Sequence, residues 1–487
     1  MTILGQSIYE EQTHAKENEV DLLVTFDPDQ GPVCSHSLSL ARRWMIVIII
    51  CTATVCVTCT SSIYTTTYIQ MNAELGTSRL LSTVGLSVYV LGIALGPLLT
   101  SPLSEWFGRK PIYLVSWSMF TIWNIPPAVA KKIPIIIISR FFAGFTGGTF
   151  LAVSGGTVRD LFTDDSIQKP MALVSSAPFI GPCFGPLIGG FINFNVHWRW
   201  TYYFVIIWSV VLLASIAILT PETHHTSRLQ SVVKTLRKET GNHRYEATVD
   251  HNSQTKGRML LTSLLRPFQL LILEPMCLCL SLYSALLLGI LYLFFGAFPL
   301  VFQTQYGMNL WQIGLTFLGI IVGMIFAAAS TPIWTRTRAF LLDGSKAEPE
   351  VRHPEYRLPP AILGGFLIPI GLFWFGWTTR PSIHWVVPVL GSGIFGFGTL
   401  LTFMGIFTFL VDAYPQYAAS ALAANGFARS SFAAAFPLFG VQMYEALGCH
   451  WATSLLAFLT VAMMPFPCIF FVYGKAIRGK SKFAAGG

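Results

Sequence analysis

Gly181-Pro182-Cys183-Phe184-Gly185-Pro186-Leu187-Ile188-Gly189-Gly190 stands inside an apolar run from about Pro170 to Phe194. A helix so rich in glycine and proline would unravel in water, because glycine regains backbone entropy and proline breaks the hydrogen-bond ladder. A membrane helix tolerates both, since neighbouring helices and local adjustments re-satisfy the freed backbone groups. Gly181, Gly185 and Gly189 recur every four residues and share one face, which lets a second helix approach close to backbone contact. Pro182 and Pro186 stiffen and bend the same helix. Two readings stand at this point: plain close packing, or a pivot on which the molecule turns.

Composition supports the membrane. Of 487 residues 53% are hydrophobic and 11% charged, against roughly 25% charged in a soluble domain. A span needs about 20 apolar residues, and twelve segments qualify: 44–67, 82–103, 112–130, 134–157, 170–194, 201–220, 269–300, 310–330, 359–378, 385–410, 419–445 and 451–473. The longest polar stretch separates the sixth from the seventh. The expected organisation is therefore a disordered tail over 1–43, a six-helix bundle over 44–220, a linker over 221–268, a second bundle over 269–473 and a short tail over 474–487.

Orientation follows from lysine and arginine. With both ends inside, the inner segments hold 24 of the 31 basic residues and the outer segments five, Arg79, Lys131, Lys132, Arg199 and Arg380. That bias places both termini in the cytoplasm. It also explains the basic balance of +8 as a topology signal rather than a nucleic-acid surface. The nine cysteines show no paired metal-ligand spacing, and no metal or cofactor is expected. No nucleophile elbow or phosphate-binding loop stands at a water interface, so an enzyme is not expected either. In the linker, Leu229, Val232, Val233 and Leu236 recur at helical spacing opposite Arg228, Lys234, Arg237 and Lys238, which reads either as an amphipathic helix on the membrane surface or as a solvated tether.

Three motifs carry the chemistry. Between spans 2 and 3 runs Pro102-Leu103-Ser104-Glu105-Trp106-Phe107-Gly108-Arg109-Lys110-Pro111. Gly108 permits a tight turn, Arg109 and Lys110 mark the inner face, and Glu105 lies within reach of these cations as one half of a conformational latch. Span 4 carries Arg140, followed by Gly144, Gly147 and Gly148. A charge near mid-membrane costs roughly 2.5–3.5 kcal/mol on insertion scales, so Arg140 needs a partner or a wet cavity. The third motif is the span 5 stretch.

These three, in this order and on these spans, resemble the major facilitator superfamily, and most closely its fungal twelve-span drug:proton antiporters. Trp198-Arg199-Trp200, Pro221-Glu222-Thr223, Glu274-Pro275, Pro354-Glu355-Tyr356-Arg357-Leu358-Pro359-Pro360 and Asp412-Ala413-Tyr414 extend the resemblance over roughly residues 40–475. It implies an all-α membrane protein with the major facilitator fold, twelve transmembrane helices in two pseudo-symmetric six-helix bundles. It implies proton-coupled efflux of a small organic molecule (a drug, toxin or fungal secondary metabolite) by alternating access, from a monomer in the plasma membrane whose partners are substrate, protons and lipid. In the family the span 5 stretch is the antiporter motif, and the span 4 arginine is linked to proton coupling. The coupling candidates are thus Arg140 with Glu274 or Asp412. One departure bears on this: where the family carries a glutamate in span 7, this chain has Gly296. That scarcity of carboxylates argues against a polyamine. A same-fold carrier for another solute, and a transport-dead sensor, remain alternatives. Polar and aromatic residues on apolar spans, Tyr64, Tyr68, Trp123, Asn124, Tyr283, Tyr292 and Asn425, are candidates to line the substrate cavity, or else to pack.

Overall fold

The computed structural model describes residues 22–24, 38–163, 166–224, 227–229, 233–235, 238, 245–247, 256–344, 353–479, 481 and 483–484. Among these, ten helices are long and apolar enough to cross a membrane. Spans 1 and 2 are Leu40–Leu75 and Arg79–Phe107; spans 4 to 6 are Ile133–Leu161, Gln168–Asn195 and Arg199–Leu219. Spans 7 to 10 are Pro275–Tyr306, Leu310–Leu342, Pro359–Thr378 and Val386–Ala413.

The tenth helix, Pro415–Arg478, has 64 residues. At 1.5 Å per residue that is about 96 Å, three times a hydrocarbon core. It is two spans. Gly448, at φ 73° and ψ 164°, turns the chain in a conformation that side chains with a Cβ rarely adopt. Span 11 precedes that turn and span 12 follows it. Span 3 is broken into Arg109–Trp123 and Ile125–Val129. Pro126 and Pro127 bring no N–H, and Asn124 takes up the slack by donating from Nδ2 to the Phe120 carbonyl at 2.7 Å. Twelve spans result.

Span 7 begins later than the hydropathy suggests. Lys256–Leu273 is a separate helix, the chain extends at Glu274 (φ −111°, ψ 96°), and span 7 starts at Pro275. A residue before proline is pushed out of the helical region, while proline itself suits a first turn. Outside the spans, Leu22–Val24 pairs in parallel with Tyr245–Ala247, so part of the tail expected to be disordered is joined to the linker. Leu229 and Val233 of the linker are buried; Val232, Leu236 and Arg237 lie outside the described residues.

Helix neighbours repeat across the two halves. Span 1 packs on span 5, span 2 on span 4 and span 3 on span 4 in the first bundle; span 7 packs on span 11, span 8 on span 10 and span 9 on span 10 in the second. Across the seam, span 5 meets span 8, and the long helix of spans 11 and 12 meets span 2. Lipid is as apolar as leucine, so close packing rather than escape from water holds such helices together. The first bundle packs Trp117, Phe120 and Phe150; the second stacks Phe294, Phe298, Phe317 and Phe375, with Phe298 and Phe375 centroids 5.0 Å apart at 11°.

Candidate functional site between the bundles

Span 5 uses two faces. On one, a Cβ at Gly181 would collide with Thr58 Oγ1, at Gly185 with Ser62 Oγ and the Ile63 nitrogen, and at Gly189 with Thr66 Oγ1. Span 1 is therefore bolted directly on the glycine face. Pro186 has no N–H to offer the carbonyl of Pro182, and Ser62 Oγ donates to it instead at 2.6 Å. On the other face, Gly190 lies against the Leu310 carbonyl and the Pro186 carbonyl against Gly314, both on span 8 of the opposite bundle. The residues Gly181, Pro182, Gly185, Pro186, Gly189 and Gly190 thus tie one bundle internally and touch the other.

Arg140 is 2% exposed. Its Nε donates to the Gly85 carbonyl at 2.8 Å, Nη2 to Ser61 at 3.0 Å, and both Nη atoms to Thr60 at 3.4 Å. The 3₁₀ segment Tyr64–Thr67 in span 1 explains the Thr60 and Ser61 acceptors, because tightening the helix there frees the carbonyls one turn back. The guanidinium also lies over the rings of Tyr64 and Tyr89, 3.9 and 4.6 Å from their centroids. Neither Glu274 nor Asp412 approaches it. The proposed trio is not brought together: Asp412 accepts from Arg357 Nε at 2.8 Å and Arg338 Nη2 at 3.4 Å, and Glu274 accepts from Tyr414 Oη at 3.2 Å and Ser481 Oγ at 2.8 Å.

Arg429, on span 11, is the residue that sequence reading left out of the site. Its guanidinium stands 4.7 Å from the Phe407 centroid, 5.1 Å from Phe179 and 5.6 Å from Phe403. Its Nε and Nη1 are enclosed without a hydrogen-bond partner. Phe179 belongs to span 5 and stacks on Phe403 of span 10 at 4.3 Å and 22°, so both bundles build the cage. The signal was present: a lone charge in an apolar span is a functional-site hypothesis in its own right.

The cavity candidates divide. Tyr292 Oη and Ser61 Oγ share a hydrogen bond of 2.9 Å across the seam. Tyr68 lines an opening of about 160 Å³ between the bundles, together with Thr65, Arg79, Phe295, Gly296 and Gln303. Arg79 Nη2 donates there to the Gly296 carbonyl at 3.3 Å. Tyr64 packs edge-on against Tyr68, and both hydroxyls lack partners. Trp123, Asn124 and Tyr283 lie away from the seam. Trp123 stacks on Phe142 of span 4 at 4.6 Å, on the flank where Phe142 is exposed. Asn124 serves its own helix. Tyr283 packs inside the second bundle against Gly365 of span 9. Asn425 stays within that bundle as well, donating to Ser281 of span 7 at 3.4 Å.

On the face that carries both ends of the bundle helices, the expected latch has other partners. Glu105 is exposed and takes no part. Arg109 Nε instead meets Asp160, at the end of span 4, at 3.3 Å, and its Nη1 reaches Ser104 Oγ at 2.7 Å. Glu222 caps span 3, accepting from the Arg109 and Lys110 backbone nitrogens at 2.8 and 3.1 Å. A carboxylate there also complements the positive end of the helix dipole. Gly108, at φ 92°, makes the turn. The second half repeats the device with Asp412 on Arg338 and Arg357, while Glu355 takes Arg478 through two bonds of 2.9 and 3.2 Å.

Known proteins match this architecture. The Major Facilitator Superfamily model matches residues 50–437. The efflux pump atB of Aspergillus terreus is 46% identical over 473 residues, 96% of this chain and 91% of that protein. The citrinin biosynthesis cluster MFS transporter mrr1 of Monascus ruber is 40% identical over 96% of this chain and 94% of its own. The probable drug/proton antiporter YHK8 of Saccharomyces cerevisiae is 38% identical over 95% and 90%. Among solved structures, the proton:xylose symporter XylE superposes with a TM-score of 0.62 at 16% identity, over 88% of this chain and 96% of that one. The human organic anion transporter MFSD10 gives 0.61 at 16%, over 88% and 100%. At such identities the likeness is one of fold.

Proposed function

This chain belongs to the major facilitator superfamily, and we propose that it is a proton-coupled efflux carrier, moving a small organic molecule out of a fungal cell by alternating access. The family is the premise. Relatives named efflux pump and drug/proton antiporter at 38–46% identity support the direction of transport. The observation that carries the reading is the double use of span 5, which is locked to span 1 by glycines and rests on span 8 of the other bundle through close backbone approach at Gly190 and Gly314 and the ring pair Phe191 and Trp311. A helix so placed rocks with its own bundle, while its backbone and ring contacts with the other bundle slide past one another.

In this reading the basic face is cytoplasmic, the protein works as a monomer in the plasma membrane, and the clamps on that face hold the inward gate shut. Every carboxylate of the chain lies outside the mid-membrane region of the spans, so the proton step falls to carboxylates at helix ends, with Asp412 and Glu274 the foremost. Protonating Asp412 removes its hold on Arg338 and Arg357. Protonating Glu274 alters its bonds to Tyr414 and the chain end. Either event loosens the inward gate. Arg140 contributes by holding spans 1, 2 and 4 as one body during the movement.

Inside-out vesicles with an acidic lumen test this, using labelled aromatic compounds. Uptake that rises with lumen acidity and collapses with a protonophore is expected, and Asp412→Asn is expected to flatten the pH response. A solute that only followed its own gradient, whatever the pH difference, would refute proton coupling.

A further inference from the structure

Arg429 differs from Arg140, which three backbone carbonyls hold, in that the described residues offer it no acceptor. It stands about 16 Å along its helix from Ala418, close to the middle of a 30 Å core. Two of its nitrogens are enclosed and have no acceptor. Around it stand the faces of Phe179, Phe403 and Phe407. Asp412 and Glu274 are engaged elsewhere. Yet the side chain is not sealed, since the residue is only partly buried. A planar fork of donors, with positive charge to spare and flat apolar walls, is a receptor short of its ligand.

We propose that this cage anchors the carboxylate of an aromatic organic acid, the guanidinium taking the anion through paired N–H···O bonds and the phenylalanines taking the ring system. The inference rests on the export reading above and names the substrate class for that site. The guanidinium matches a carboxylate bidentately, which neither a neutral amide nor an ammonium ion can reproduce. An arriving anion restores neutrality to the buried charge, whereas a cation adds to it, so the cage selects against amines. Phe179 comes from one bundle and Arg429 from the other. The anchor is therefore complete only while spans 5, 10 and 11 are together, and it comes apart when the bundles rock. That gives the substrate a route to release.

The test uses the full chain in lipid nanodiscs and equilibrium dialysis of four labelled probes: 2-naphthoate, 1-naphthoate, 4-biphenylcarboxylate and 2-anthroate, each against its carboxamide. At least one acid is expected to bind about tenfold more tightly than its amide, the gain of a charge-assisted pair over a neutral one. Arg429→Gln should erase that preference. Arg429→Lys keeps the charge without the fork, guards against a folding defect, and should retain part of the preference. Four acids that bind no better than their amides overturn the proposal, as does a preference that survives Arg429→Gln. Arg429-dependent binding without transport in proteoliposomes would leave the anchor standing and defeat the export reading. Gradient-driven transport of neutral compounds, indifferent to Arg429→Gln and without acid preference, would do the reverse.

Discussion

Each bundle buries one arginine in its apolar interior, and the two are treated in opposite ways. Arg140 is surrounded by carbonyls of Thr60, Ser61 and Gly85, the first two set free by a change of helix type in span 1. Arg429 faces three phenylalanine rings and, among the described residues, no acceptor. Cation–π contact contributes about 0.5–2 kcal/mol per ring, less than a guanidinium loses on leaving water. The comparison teaches that a buried charge reveals its role through its partners. A guanidinium fully bonded to backbone is part of the scaffold. One held only by rings has capacity left over.

The sharpest way to break that contrast is to remove both charges. Arg140→Met leaves carbonyls from two spans unpaired in a medium without water, and the expected loss is about 3–5 kcal/mol, enough to lower expression and the thermal midpoint together. Arg429→Met replaces an uncompensated charge by an apolar chain of similar length. It should be neutral or stabilising, since swapping buried ionic groups for hydrophobic ones often gains about 1–4 kcal/mol. Thermal unfolding of the purified variants in one detergent decides it. Equal losses from both would mean that Arg429 is scaffold as well.

The same contrast, a filled environment against an open one, can be sharpened with glycines. Gly185→Ala sets a methyl against Ser62 Oγ, the group that satisfies the Pro182 carbonyl, and against the backbone of span 1. Overpacking of this kind costs about 1–3 kcal/mol, and the efflux rate should fall further than the thermal midpoint, because the moving body is distorted. Gly296→Ala meets only Val441 Cγ2 at 3.2 Å and should change stability by less than about 0.5 kcal/mol. If both alanines were silent in transport, the glycine face would not be a working contact.

Hydropathy made the fold legible in the sequence, because a bilayer enforces long apolar stretches. The breaks were less so: the Pro126-Pro127 interruption and the Glu274 extension are local proline effects inside runs that read as continuous. The site was legible only in part. Arg140 announced itself by charge, but its partners are carbonyls, which every residue owns and no sequence advertises. Arg109 finds Asp160 and Glu222, 51 and 113 residues away, where adjacency had suggested Glu105. Trp123 and Tyr283 were misplaced for another reason. Spans apolar on every side give no amphipathic signal of which face looks into the seam.

That misreading yields the smallest predicted difference. Asp160 and Arg109 side chains are 13% and 12% exposed, so Asp160→Asn strands a largely buried cation and should cost about 1–2 kcal/mol. Its salt dependence should be weak, because water and ions reach the pair poorly. Glu105 is exposed, and Glu105→Gln should lie within about 0.5 kcal/mol of wild type, with an unchanged efflux rate. The two carboxylates lie on the same face of the first bundle, so a gain in leak for Asp160→Asn alone assigns the latch to the pair that the structure holds. An equal defect in Glu105→Gln would show that Arg109 changes partners during the cycle, Asp160 in one state and Glu105 in the other. The latch would then be a switch between two carboxylates rather than a single bond that opens and closes.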